Sequence, residues 1–143
     1  MRIWVAYRFS DADRRELKRE LAAIRAAFEA KGHSVSTMIE DIQRWGKVKM
    51  TKVEAIRELK RRAPEHDALV CFYFGAEPSS GRSWEAGLYD GMGKPTVLAV
   101  PLLVTLREYE YAMFKSNEAN LPAKLPYFVR YMDYDEVAAA LGV

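Results

Sequence analysis

The segment "DALVCFYFG", residues 67–75, sets the strongest limit on what this chain folds into. It is short, almost continuously apolar and shows no polar alternation. Such a run reads as a strand buried on both faces, and strands of that kind belong to parallel sheets covered by helices. "RIWVAY" near the start and "TVLAV" at residues 96–100 repeat the pattern, and "HSVSTMI" and "YFVRYM" read as two further short strands. Helical patterns lie between them. Leu17, Leu21, Ile24 and Phe28 share one helix face, with Ser10 or Asp11 as N-cap and Gly32 as the stop. Thr51 and Glu54 form a capping box that opens a helix through Val53, Ile56 and Leu59, ended by Pro64. "RSWEAGLYDGMG" is a short helix with Trp84, Leu88 and Met92 on one stripe, while "EDIQRWGKVK" reads as a polar loop. In residues 101–126, "VTLREYEYAMF" reads as helical and "KSNEANLPAKLP" as a loop. "DYDEVAAALGV" is a terminal helix capped by Asp133.

Strands alternating with helices predict an α/β fold of flavodoxin-like type. The expected core is a doubly wound five-stranded parallel sheet, order 2-1-3-4-5, with helices on both faces, in a single domain over residues 1–143. No apolar run approaches the roughly 20 residues that cross a bilayer, and "MRIWVAYRF" is too short and polar for a signal peptide. The lone cysteine, Cys71, sits in an apolar run and reads as a buried thiol. A cytoplasmic protein is the expectation. Residues 1–66 carry 16 basic and 10 acidic groups against a net charge of only +2, and the excess falls on helices with no stacking aromatics between the charges. A small anionic ligand fits this better than a nucleic acid.

In a doubly wound sheet, ligands bind beyond the carboxyl ends of the strands, near the switch between strands one and three. Tyr7, Arg8 and Ser10 end strand one there. Phe74, Gly75, Glu77, Pro78, Ser79, Ser80 and Gly81 follow strand three. Starting the third helix near Arg82 places Glu85 in its first turn, where backbone N–H groups favour an ionised carboxylate suited to nucleophilic attack. Ser79, Ser80 and Arg82 are placed to hold a phosphate. "YRFSDAD" carries neither GxGxxG nor a P-loop lysine, and the two histidines lack partners at ligand spacing, so neither cofactor nor metal is expected.

Together these residues resemble the nucleoside 2-deoxyribosyltransferase family, which includes the 2'-deoxynucleoside 5'-phosphate N-hydrolases. "IWVAYRF" resembles the family's first strand with its tyrosine. "HDALVCFYFGAEPSSGRSWEAGLYDGMGKPTVLAV" resembles its third strand, loop, glutamate helix and Gly-Lys-Pro turn. The resemblance implies Glu85 as the nucleophile on C1', Tyr7 as the phenol orienting it, and Asp67 as the aspartate near the leaving base. Ser79, where the transferases of free nucleosides carry aspartate, implies a 5'-phosphate held with Gly81, Arg8 or Arg82, because a carboxylate there would repel it. Phe9, Trp45 and Phe74 are candidates for the base pocket, and Ser10 lies at the same strand end. The resemblance also implies a homodimer or higher homo-oligomer with a shared active site. Ser116 or Asn117 would reach across to the sugar, with Lys115 adding charge. The implied reaction is cleavage of the N-glycosidic bond of (deoxy)nucleoside 5'-monophosphates, resolved by water. Base exchange by a transferase is the alternative. A TIR-like NAD-cleaving enzyme and a non-catalytic nucleotide-binding module are further readings.

Overall fold

The computed structural model describes residues 1–7, 13–73, 80–106 and 108–142, without the side chains of residues 80–82. Its centre is a parallel sheet of β1 (Arg2–Ala6), β2 (Ser34–Thr37), β3 (Ala68–Phe72), β4 (Thr96–Pro101) and β5 (Phe128–Tyr131). The strand order is β2-β1-β3-β4-β5, as the alternation of elements predicts. Every neighbouring pair is parallel, with Trp4 opposite Leu69 and Leu69 opposite Thr96. All five residues of β3 are buried, and Cys71 is among them. No described helix is long and apolar enough to cross a membrane.

The period of two along each strand assigns every side chain to one of two cores. Ile3, Val5, Val70, Phe72, Val97 and Ala99 pack on one face against α1 (Arg14–Glu29) and α5 (Tyr134–Ala140). Trp4, Ala6, Leu69, Cys71, Tyr73, Leu98 and Val100 pack on the other. That core includes residues of α2 (Lys52–Arg62), α3 (Ser80–Gly91) and α4 (Glu108–Ser116).

Helix α1 buries the predicted Leu17, Leu21, Ile24 and Phe28. Its N-cap is Asp13, whose carboxylate accepts from the amides of Arg15 and Glu16; the expected caps Ser10 and Asp11 lie outside the described residues. Thr51 caps α2 as expected, accepting from the Glu54 amide at 3.1 Å. The face of α2 is turned, however. Ala55 and Leu59 are buried, while Val53 and Ile56 are exposed. Strand β2 is shorter than predicted. Met38–Ile42 form a π-helical turn, followed by a 3-10 turn at Arg44–Gly46, where a plain loop was expected. Arg44 and Trp45 there have left-handed φ of 47° and 56°, an uncommon backbone for side-chain-bearing residues. The expected helix and loop of residues 101–126 appear as α4 and a 3-10 turn at Glu118–Asn120. Asp133 caps α5 by accepting from the Glu136 amide at 3.0 Å.

Candidate active site

Helix α3 brings Glu85 against the sheet. The helix begins at Ser80, so Glu85 is five residues in, beyond the first turn expected for it. The N-terminal dipole fades within one turn and does not account for a carboxylate there. The buried stripe of α3 is Glu85, Ala86 and Tyr89; of the predicted stripe, Leu88 packs partly against the core while Trp84 and Met92 are exposed. Glu85 is only 7% exposed.

A carboxylate so placed needs donors. Trp4 supplies one: its indole Nε1 donates to Glu85 Oε1 at 3.1 Å, with both residues buried. The strand period explains the pairing, because Trp4 and Ala6 face α3 while Ile3 and Val5 face α1. An indole N–H can only donate, so this bond fixes one carboxylate oxygen as its acceptor.

Two further groups extend the site away from the helix start. His66 stands edge-on to Trp4, with ring centroids 5.2 Å apart. The Tyr89 hydroxyl lies 3.1 Å from His66 Nδ1. Burial, and secondarily the Glu85 charge, pushes the Tyr89 phenol far above its ordinary range. Burial pushes His66 down. Both shifts favour the neutral forms, and the imidazole tautomer decides which of the two donates. Lys94, of the Gly-Lys-Pro turn, holds the segment carrying His66 by donating from Nζ to the carbonyls of Ala63, Pro64 and His66. Gly93, with φ of +71°, lets the chain turn back toward β4 at that point.

The other candidates are dispersed. Tyr7 packs on the α1/α5 side of the sheet, its ring 6.2 Å from Phe72. Asp67 precedes β3, at the amino edge of the sheet. Its carboxylate accepts from the Arg2 amide at 2.7 Å, which lowers its pKa, and lies 3.9 Å from the exposed Arg2 guanidinium. Asp67 thus clamps β1 to the start of β3. Ser116 is exposed, with its hydroxyl donating to the Met113 carbonyl at 2.6 Å. Asn117 is buried, its amide 2.7 Å from Thr96 Oγ1. Turned to satisfy both its ends, that amide accepts from Thr96 and donates to the Asp90 carboxylate at 2.9 Å. Asn117 therefore ties α4 to α3 and β4. Lys115 is exposed. Trp45 is half-buried against the α1 side, under the Lys18 ammonium at 5.2 Å. Gly81 lies in the first turn of α3 with Arg82, whose side chain is not described. Arg8, Phe9, Ser10, Phe74, Gly75, Glu77, Pro78 and Ser79 lie outside the described residues.

Trp4 is the residue that sequence reasoning missed. The signal was present: counting by twos along "RIWVAY" puts Trp4 and Ala6 on one face and Ile3, Val5 and Tyr7 on the other.

The arrangement defines a doubly wound α/β fold with a buried, donor-held carboxylate on the helix after the third strand. No protein-family model matches the chain, and no curated protein matches it. Solved structures do. The chain is similar to the CMP N-glycosidase BcmB of Clostridium botulinum, with TM-score 0.65 and 16% identity over 99% of this chain and 98% of that one. It is also similar to a 2-deoxyribosyltransferase of Bacillus psychrosaccharolyticus, with TM-score 0.63 and 17% identity over 100% and 97%. A third similar structure is BlsM, with TM-score 0.67 and 23% identity over 97% and 88%. These likenesses extend along nearly the whole chain, and at such identities they establish a shared fold.

Proposed function

We propose that the chain is an enzyme that cleaves the N-glycosidic bond of (deoxy)nucleoside 5'-monophosphates through a glycosyl-enzyme on Glu85. The observation that carries this reading is the buried Glu85 carboxylate held by the Trp4 indole. Support comes from the fold shared with structures described as a CMP N-glycosidase and a 2-deoxyribosyltransferase.

With Oε1 fixed by Trp4, the second oxygen attacks C1' as the C1'–N bond breaks through an oxocarbenium-like state. The bond's electron pair leaves with the base, which takes a proton from water. Water then attacks C1', the carboxylate departs, and the sugar phosphate is released with retained configuration. Ser79, Gly81, Arg82 and Arg8 are assigned to the 5'-phosphate. Base exchange is the second reading, favoured by the likeness to the transferase structure, and differs only in the acceptor that resolves the intermediate.

The test is incubation with nucleosides and their 5'-monophosphates, with and without an acceptor base, followed by chromatography of the products. Free base and sugar phosphate from monophosphates support the hydrolase. Exchanged nucleosides would replace it with the transferase, and nicotinamide from NAD would replace it with a TIR-like reading. Monophosphate binding without turnover would leave a binding module. Glu85→Ala is expected to abolish base release; unchanged release would remove the mechanism.

A further inference from the structure

We infer that the Tyr131 hydroxyl hydrogen-bonds the nucleobase of the substrate, from within an aromatic cluster on the α1/α5 side of the sheet's carboxyl edge. The inference rests on the reaction proposed above and assigns the part of the nucleotide that Glu85 and the start of α3 leave unheld.

Tyr131 is the last residue of β5 and pairs with Pro101 at the end of β4. It therefore stands at the edge where ligands bind in a doubly wound sheet. It is only 5% exposed, and its hydroxyl has no hydrogen-bond partner among the described residues. A buried phenol ordinarily finds one, because an unpaired O–H forfeits the bonds it makes in water. The phenol beside it shows the ordinary solution. Tyr134, its ring centroid 5.6 Å from that of Tyr131, donates to Glu20 Oε2 at 2.5 Å. Phenylalanine would fill the place of Tyr131 without the penalty. A polar atom kept unpaired at the ligand edge is accounted for if its partner arrives with the ligand.

The surroundings select which part of a nucleotide that partner is. The rings of Tyr7, Tyr131 and Tyr134 stand around Phe72, with centroids 6.2, 5.9 and 5.6 Å from it. Burial, and then the nearby Tyr7 and Glu20, pushes the Tyr131 phenol far above its ordinary range, so the group stays neutral. A neutral phenol beside the Glu20 carboxylate offers nothing to a phosphate, which that charge repels. Flat apolar faces with one neutral O–H suit a planar, uncharged partner with a polar edge, and a nucleobase is that. The layout of the substrate agrees. Trp4 and α3, which take C1' and the phosphate, belong to the opposite core, while Tyr7, Phe72, Tyr131 and Tyr134 belong to the α1/α5 core. The base is the part left for this side.

Binding is measured by isothermal titration calorimetry on the full chain carrying Glu85→Gln, which removes the nucleophile. The ligands are the four common nucleoside 5'-monophosphates and ribose 5-phosphate, which has no base. Adding Tyr131→Phe is expected to weaken the tightest-bound monophosphate about 3–10-fold, the worth of one neutral hydrogen bond, and to leave ribose 5-phosphate unchanged. In the wild-type background, Tyr131→Phe is expected to raise KM for base release by the same factor with kcat little changed; this comparison serves if Glu85→Gln fails to fold. The same substitution is expected to raise the Tm of the free protein by about 4 °C, since it deletes an unpaired buried O–H. A hydroxyl that serves the fold alone would instead lower the Tm and leave binding untouched. Unchanged monophosphate affinity, an equal loss for ribose 5-phosphate, or a lowered Tm would overturn the inference, while base release by the wild type would keep the proposed reaction standing. A wild type that releases base from no monophosphate would overturn both.

Discussion

Replacing Trp4 by phenylalanine isolates the contact on which the site is built. The change removes the donor to Glu85 Oε1 and keeps an aromatic ring in a fully buried position. A hydrogen bond to a charged acceptor contributes about 1.5–3 kcal/mol, most of it felt when a buried partner is left short of a donor. Trimming an indole to a phenyl adds a cavity cost of about 1 kcal/mol. The expected loss of stability is therefore about 2–4 kcal/mol, or roughly 6–15 °C in Tm for a chain of this length. Loss of orientation acts separately on the reaction. A carboxylate free to swing by an ångström forfeits up to about 100-fold in rate, so kcat for base release is expected to fall about 10–100-fold with KM little changed. Phe28→Leu is the control. Phe28 is equally buried but lies in the core on the α1/α5 face, so it should cost comparable stability and leave kcat alone. Base release is followed by chromatography well below both melting temperatures. A Trp4→Phe enzyme with wild-type kcat, or a Phe28→Leu enzyme with the same loss, would refute the argument that the indole positions Glu85.

Two further predictions concern pH and the amino edge. Burial lowers the pKa of His33, which lies between the Met1 ammonium at 3.0 Å and the Gly142 carbonyl at 2.7 Å, and burial lowers that of His66. The unfolded chain takes up these protons near the ordinary value of 6.5, before the folded chain does. Stability is therefore fully present above that pH and falls as the pH drops toward the folded values. Thermal melts from pH 8 to pH 5 should show a falling Tm, and a flat profile would contradict it. Asp67→Asn removes a clamp between the starts of β1 and β3 that is half exposed, so a cost of at most about 1 kcal/mol is expected, with kcat unchanged. A large loss of kcat at unchanged stability would return Asp67 to the reaction centre.

Strand order was readable because β1, β3 and β4 are continuous apolar runs between helices, a pattern compatible with few sheets. The nucleophile candidate was readable for a weaker reason: its neighbours in sequence resemble a known family. Its surroundings were not. Tyr7 and Trp4 are both aromatic and three residues apart, and only the strand period separates their faces. Asp67 and Asn117 have side chains that suit catalysis, yet both serve the backbone and the packing of their own chain. A single sequence does not distinguish a carboxylate that clamps two strands from one that faces a substrate, since both need a polar residue beside an apolar run.

The readings of α2 and α3 failed in the same direction, and that direction is informative. In each helix the apolar stripe was assigned to the core, following the ordinary rule for amphipathic helices. In each the structure turns part of that stripe outward, exposing Val53 and Ile56 on α2 and Trp84 and Met92 on α3. Inside, α3 presents Glu85, Ala86 and Tyr89. A helix that buries a carboxylate and exposes a tryptophan is inverted relative to what one soluble chain would select for its own stability. The sheet side of α3 holds a carboxylate against the Trp4 indole, a burial that the apolar-stripe rule has no means to anticipate. Glu85 and Trp84 are adjacent in sequence, so the turn of helix that buries the one exposes the other.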